Sequence, residues 1–156
     1  MTIAAILGID PTAQSTTPEF VPGSLGAVTD SNGTKIYKYL KYDDGTAAVD
    51  GVAGEVAYYY TLDGYKNHVC SSDLSDSIEI GAGVIQANIA TETYGWFQIK
   101  GAATLSIALT AGADGDPLTP TGSADGTLDV SSNVLDNVCA IAGDISDKEI
   151  ICDFPM

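Results

Sequence analysis

Arginine is absent from this 156-residue chain, and its cations are six lysines set against 21 acidic residues and a single histidine. A formal charge of −15 leaves little with which to neutralise phosphates, so nucleic acid and anionic membrane are poor partners. Excess charge of one sign also keeps an apolar-rich chain in solution. Long apolar runs are missing too. The stretch from Met1 to Asp10 has no basic lead and falls far short of the roughly 20 residues that span a bilayer, so neither a signal peptide nor a membrane helix is expected. Cysteine is limited to Cys70, Cys139 and Cys152, an odd number without zinc-ligand spacing, and reduced, buried thiols are the expectation.

Catalytic signatures are equally scarce. His68, in Lys66-Asn67-His68-Val69, reads as a surface-turn residue rather than a base or a zinc ligand. No glycine-rich phosphate loop precedes a helix, since Gly81-Ala82-Gly83 leads into a strand. The turns Asp30-Ser31-Asn32-Gly33, Asp43-Asp44-Gly45 and Asp114-Gly115-Asp116 invite calcium, but none continues into a ligand loop closed by a bidentate Glu. Asp is also the ordinary residue of tight turns. No carboxylate pair is singled out for hydrolysis. The expectation is a protein that is not an enzyme, with no cofactor and no metal.

What is present is strand. Runs rich in tyrosine and β-branched residues recur over 35–41, 55–61, 84–90, 94–100, 104–110, 137–142 and 149–154, each bounded by Gly, Asp or Asn. A short helix fits Asp73 to Ser77. The fold class expected is therefore all-β, a compact β-sandwich or β-barrel with an extended N-terminal arm. Residues 1–34, full of turn chemistry, form the arm, and residues 35–156 form a single β domain. The arm nevertheless carries apolar anchors at Ile3, Ile6, Leu7, Ile9, Phe20, Val21 and Leu25, so it should lie against its own body or a neighbour.

Two hairpins carry the sharpest expectations. Tyr94 to Leu109 reads as one with Gly101-Ala102-Ala103 as its loop, which sets Phe97 opposite Ile107 and Ile99 opposite Leu105. The other face then holds Tyr94, Trp96, Gln98, Ser106 and Ala108, either buried under a second layer or left open for a partner. Near the C-terminus, a loop over 144–147 pairs Gly143 with Lys148, Ile141 with Ile150 and Cys139 with Cys152. In that register the two thiols meet, and an oxidising medium could bridge them.

With arm, strands and acidic surface together, several segments resemble the decoration (cement) proteins of tailed-bacteriophage heads. Leu25 to Tyr39 is similar to their arm-then-strand segment, Tyr94-Gly-Trp-Phe-Gln-Ile-Lys-Gly101 to their central aromatic-Gln strand, and Gly112 to Leu118 with Ala124-Asp-Gly126 to the Gly-Asp-rich turns that follow. The resemblance implies a virion component made in the host cytoplasm and placed on the outer capsid surface. It further implies a homotrimer that clamps the major capsid protein. On this view Ile3, Ile6, Leu7, Ile9, Phe20, Val21, Leu25, Tyr94 and Trp96 are the partner-binding residues. The rival expectation is a carbohydrate- or receptor-binding β-module of a virion fibre, marked by an exposed aromatic pocket at Tyr94 and Trp96.

Overall fold

A computed structural model describes residues 5–156 apart from Leu62, and residues 5–7 by backbone alone. The strands are β1 (Ala5–Leu7), β2 (Gln14–Ser15), β3 (Leu25–Asp30), β4 (Gly33–Tyr42), β5 (Val56–Tyr60) and β6 (Val69–Ser71), followed by β7 (Ser77–Ile85), β8 (Thr93–Thr104), β9 (Pro117–Thr119), β10 (Asp129–Val130), β11 (Ala140–Asp144) and β12 (Glu149–Asp153). One helical turn, α1 (Gly64–Asn67), precedes β6. The fold is all-β. Residues 73–77 form no helix; Asp73 instead accepts hydrogen bonds from the Ser75 backbone N–H and hydroxyl, the competition with helix that short polar side chains offer.

Five strands close on themselves in the order β4-β6-β5-β7-β8, with β8 returning to β4 through seven register pairs. Closure removes the exposed edges that an open sheet would leave. The interior is filled from every wall, by Leu40 and Tyr42 of β4, Ala57 and Tyr59 of β5, Cys70 of β6, Ala82 and Ile85 of β7 and Phe97 of β8. Buried hydroxyls find partners. Tyr42 OH donates to Val49 O at 2.9 Å and sits 2.8 Å from Ser72 Oγ, while Tyr58 OH accepts from the Thr127 backbone N–H at 3.0 Å.

β8 is long enough to serve two layers. Its second half, Lys100 to Thr104, pairs with β12, which continues through β11 and β9 to β10. Gly101-Ala102-Ala103 is therefore strand interior and not a hairpin loop, and Phe97 lies between Lys38 and Ile85 rather than opposite Ile107. A local pattern of alternation cannot reveal that a strand continues past a glycine when the next partner arrives from 50 residues away. Between this second layer and the barrel wall lies the larger core, with Val56, Tyr58, Ile99, Leu118, Leu128, Ile150 and Phe154 fully buried or nearly so.

The C-terminal hairpin forms one residue out of the expected register. Ala140 pairs with Cys152, Ile141 with Ile151 and Ala142 with Ile150, and a bulge between Ala142 and Asp144 absorbs the extra residue. Lys148 takes the left-handed conformation (φ 58°) that lets the four-residue loop turn. Ile141 thus does not face Ile150, nor Cys139 Cys152. All three cysteines are buried and free. Burial raises each thiol, Cys152 to about 12, so their thiolates are suppressed at neutral pH.

Candidate docking surfaces

The arm folds back on its own body. β3 and β4 form a hairpin closed at Asp30 and Gly33, where Gly33 adopts a φ of +103° that the Asn-Gly turn requires, and β2 pairs with β8 at Tyr94 and Gly95. Ile9, Phe20, Val28 and Tyr94 pack against a buried outer-face cluster of Tyr37, Tyr39 and Trp96. The Phe20 ring lies 5.3 Å from Tyr39 and 5.2 Å from Trp96, within the range of favourable aromatic pairs. Trp96 is 3% exposed. The alternation expected for β8 holds on this face, with Tyr94, Trp96 and Gln98 outside the barrel and Phe97 inside, and the arm is the layer that covers it.

Of the residues the sequence singled out for a partner, Ile9, Phe20, Tyr94 and Trp96 come together in this one cluster, and Leu25 packs on the larger core. Val21 stands apart and exposed. Ile3 lies outside the described residues, and Ile6 and Leu7 are placed only by the parallel pairing of β1 with β3. Replacing Phe20 by alanine should uncover the single tryptophan. We expect a loss of about 1 to 3 kcal/mol and a red shift of the Trp96 emission in the folded state. Unchanged emission would show that other arm residues do the covering.

The exposed apolar surface lies elsewhere. Pro117 pairs with Ile141, Ile141 with Ile151 and Ile151 with Ala102, so four neighbouring strands place one row of apolar side chains on the outward face. Ile141 is 44% exposed and Ile151 is 52% exposed. Two residues along β12 and β8, the same face turns polar, with the Lys100–Asp153 ion pair on one flank and Thr104 beside Glu149 on the other. An apolar centre inside a polar rim is the anatomy of a protein contact. The expected register hid this row, because it turned Ile150 rather than Ile151 toward the face of Ile141.

The acidic turns do structural work. Asp30, Asp43 and Asp114 accept backbone N–H bonds from Asn32, Gly45 and Ile145, and among the described residues no group of three or more His, Cys, Asp or Glu is placed to hold a metal ion. His68 sits in the expected turn, as the left-handed C-cap of α1 (φ 59°), but it is half-buried with its ring against Gly23; its Nδ1 has no partner among the described residues, and burial first and Lys38 second hold its pKa below the usual value. A comparison with protein-family models, with curated proteins and with solved structures finds no match to this chain.

Proposed function

We propose that the protein is a non-catalytic virion component that docks on the outer surface of a phage capsid and clamps its major capsid proteins. The observation that carries this reading is the row Pro117–Ile141–Ile151–Ala102, an outward apolar row across four paired strands, flanked by polar residues on β12 and β8. The resemblance of the arm-strand, central-strand and turn segments to decoration proteins supports the same reading, as does an arginine-free, acidic composition that makes packaged nucleic acid a poor partner. A sheet-borne surface pays little ordering entropy on contact. The fibre-module reading needed an open aromatic face, and Trp96 lies beneath Phe20.

Burying the exposed half of each isoleucine is worth about 1 kcal/mol, so losing both should weaken attachment more than tenfold. The double variant Ile141→Thr, Ile151→Thr keeps strand propensity and should fold normally. The test is cosedimentation of the purified chain with cognate capsids. Wild-type protein should pellet with them while the double variant stays in the supernatant, and wild-type protein that never pellets would overturn the reading.

A further inference from the structure

Among the described residues, the one buried side-chain nitrogen or oxygen without a hydrogen-bond partner is Nδ1 of His68, the single histidine of the chain. The arm presses on that ring. Gly23 lies so close to it that a Cβ there would come within 2.6 Å of Cε1, 2.8 Å of Nε2 and 2.9 Å of Nδ1, and the Gly23 φ of +90° is one that glycine adopts freely. His68 itself is held in place, with its carbonyl accepting from the Lys41 N–H at 2.9 Å.

Gly23 sits where the arm is tied to β4. Its N–H donates to Tyr39 O at 2.7 Å, and the Tyr39 N–H donates to Ser24 O at 2.9 Å. Three residues earlier, Phe20 covers Tyr39 and Trp96, so the imidazole meets the arm beside the segment that closes the aromatic cluster.

No neighbour supplies the acceptor that an imidazolium needs. From β4 the ring meets the charge of Lys38, and Lys41 is already paired with Glu92 at 2.6 Å. The last turn of α1 adds Lys66 and the neutral Tyr65, and β6 adds Cys70, a buried thiol that burial keeps protonated. The arm turn over 21–24 has no ionisable side chain, while Glu19 lies beyond it, with its N–H on Tyr39 OH at 3.3 Å. Asp63 stands at the opposite end of α1.

We propose that His68 is a pH-sensitive latch on the arm: the neutral ring seats the Gly23 turn against β4, and protonation in mild acid releases residues 20–24 and uncovers the aromatic cluster. A proton added to the closed state leaves either a buried N–H without an acceptor or a second cation near Lys38 without a counter-charge. With the arm lifted, Nδ1 reaches water. The open state therefore takes up the proton near the ordinary value of 6.5, whereas burial first and Lys38 second hold the closed state below it. The hold is complete above 6.5 and weakens as pH falls toward the closed-state value, about tenfold in the closed-to-open ratio for each unit between the two. Overall charge acts in the other direction, because acid relieves the self-repulsion of a chain at −15 and favours the compact state. The latch does not depend on the β9–β11–β12–β8 face.

The experiment is amide hydrogen exchange on the full chain at about pH 7.5 and about pH 5.5, expressed as protection relative to the intrinsic rate at each pH. Protection of the Tyr39 N–H should fall at least about threefold in acid, while that of the Phe154 N–H, bonded to Ile99 O in the second layer, does not fall. His68→Asn, which tolerates the left-handed backbone and does not titrate, should abolish the fall. Gly23→Ala, which drives a methyl group into the ring, should show the low Tyr39 protection already at neutral pH. An NMR titration of the ring in wild-type protein should give a midpoint below 6.5. Equal Tyr39 protection at both pH values, a fall that persists in His68→Asn or is shared by Phe154, wild-type protection in Gly23→Ala, or a midpoint at or above 6.5 would each overturn the proposal.

Discussion

Phe154→Ala should cost about 3 to 5 kcal/mol, a large fraction of the total stability of a domain this size. Phe154 is fully buried just beyond the end of β12, and its N–H donates to Ile99 O at 3.0 Å. Its ring stands over Gly81 of β7, where a Cβ would come within 2.6 Å of the ring carbons and 3.0 Å of Cys139 Sγ. The close approach locks the second layer onto the barrel wall. It also means that no side chain on the β7 side can swing in to fill the space, so the cavity term adds in full to the lost transfer energy. Chemical denaturation followed by far-UV dichroism measures the loss. A cost below about 1 kcal/mol would mean that the two layers collapse onto each other when the ring is removed.

Lys38→Met should stabilise the protein at neutral pH by about 1 to 2 kcal/mol, the low end of what replacing buried ionic groups by apolar side chains gives, because the Tyr59 hydroxyl loses its partner in the exchange. Lys38 shares the inward face of β4 with Leu40 and Tyr42 and is 3% exposed. Its ammonium donates to Tyr59 OH at 2.8 Å and lies over the rings of Tyr59 and Tyr65 at 5.3 and 4.9 Å. Among the described residues, no carboxylate forms an ion pair with it. The two rings offset only part of the desolvation, and burial accordingly lowers the lysine's pKa below 10.5.

The pH dependence follows with a definite sign. Below the lowered folded value, Lys38 is charged in both states and the folded protein bears the whole cost of burying the charge. As pH rises from that value toward 10.5, the folded lysine sheds its proton while the unfolded one keeps it, so wild-type stability gains relative to the variant. The advantage of Lys38→Met should therefore shrink as pH approaches 10. An advantage that is flat with pH would place its origin in packing rather than in charge. The buried Tyr58 titrates in the opposite sense, but it is common to both proteins and cancels in their difference.

Much of the body was legible in the chain because strand signals are local. Tyrosine and β-branched runs bounded by Gly, Asp and Asn place β4, β5, β11 and β12 within a few residues, and Asp30-Ser31-Asn32-Gly33 marks its turn through the φ that glycine alone adopts freely. The strand expected over 84–90 was misplaced, since β7 ends at Ile85 and its exposed N-terminal half, with Ile78 and Glu79 outward, lacks the continuous apolar signature. The candidate surface was not legible at all. Its row exists only because a bulge and a left-handed Lys148 shift one hairpin by a single residue, which turns Ile151 from core to solvent.

The sequence by itself determined the all-β class, the acidic and arginine-free composition and the alternation that points Phe97 one way and Trp96 the other. Each follows from side-chain chemistry or from a period of two, which needs no knowledge of the partner. Tertiary structure alone decided that β8 closes a barrel with β4 and then leaves to join β12, that Phe20 covers Trp96, and that Lys38 points into the barrel with no counter-charge among the described residues. The reason is that backbone hydrogen bonds carry no side-chain identity. A strand's pattern fixes its two faces, whereas its edges accept whichever strand the burial of the whole chain brings alongside.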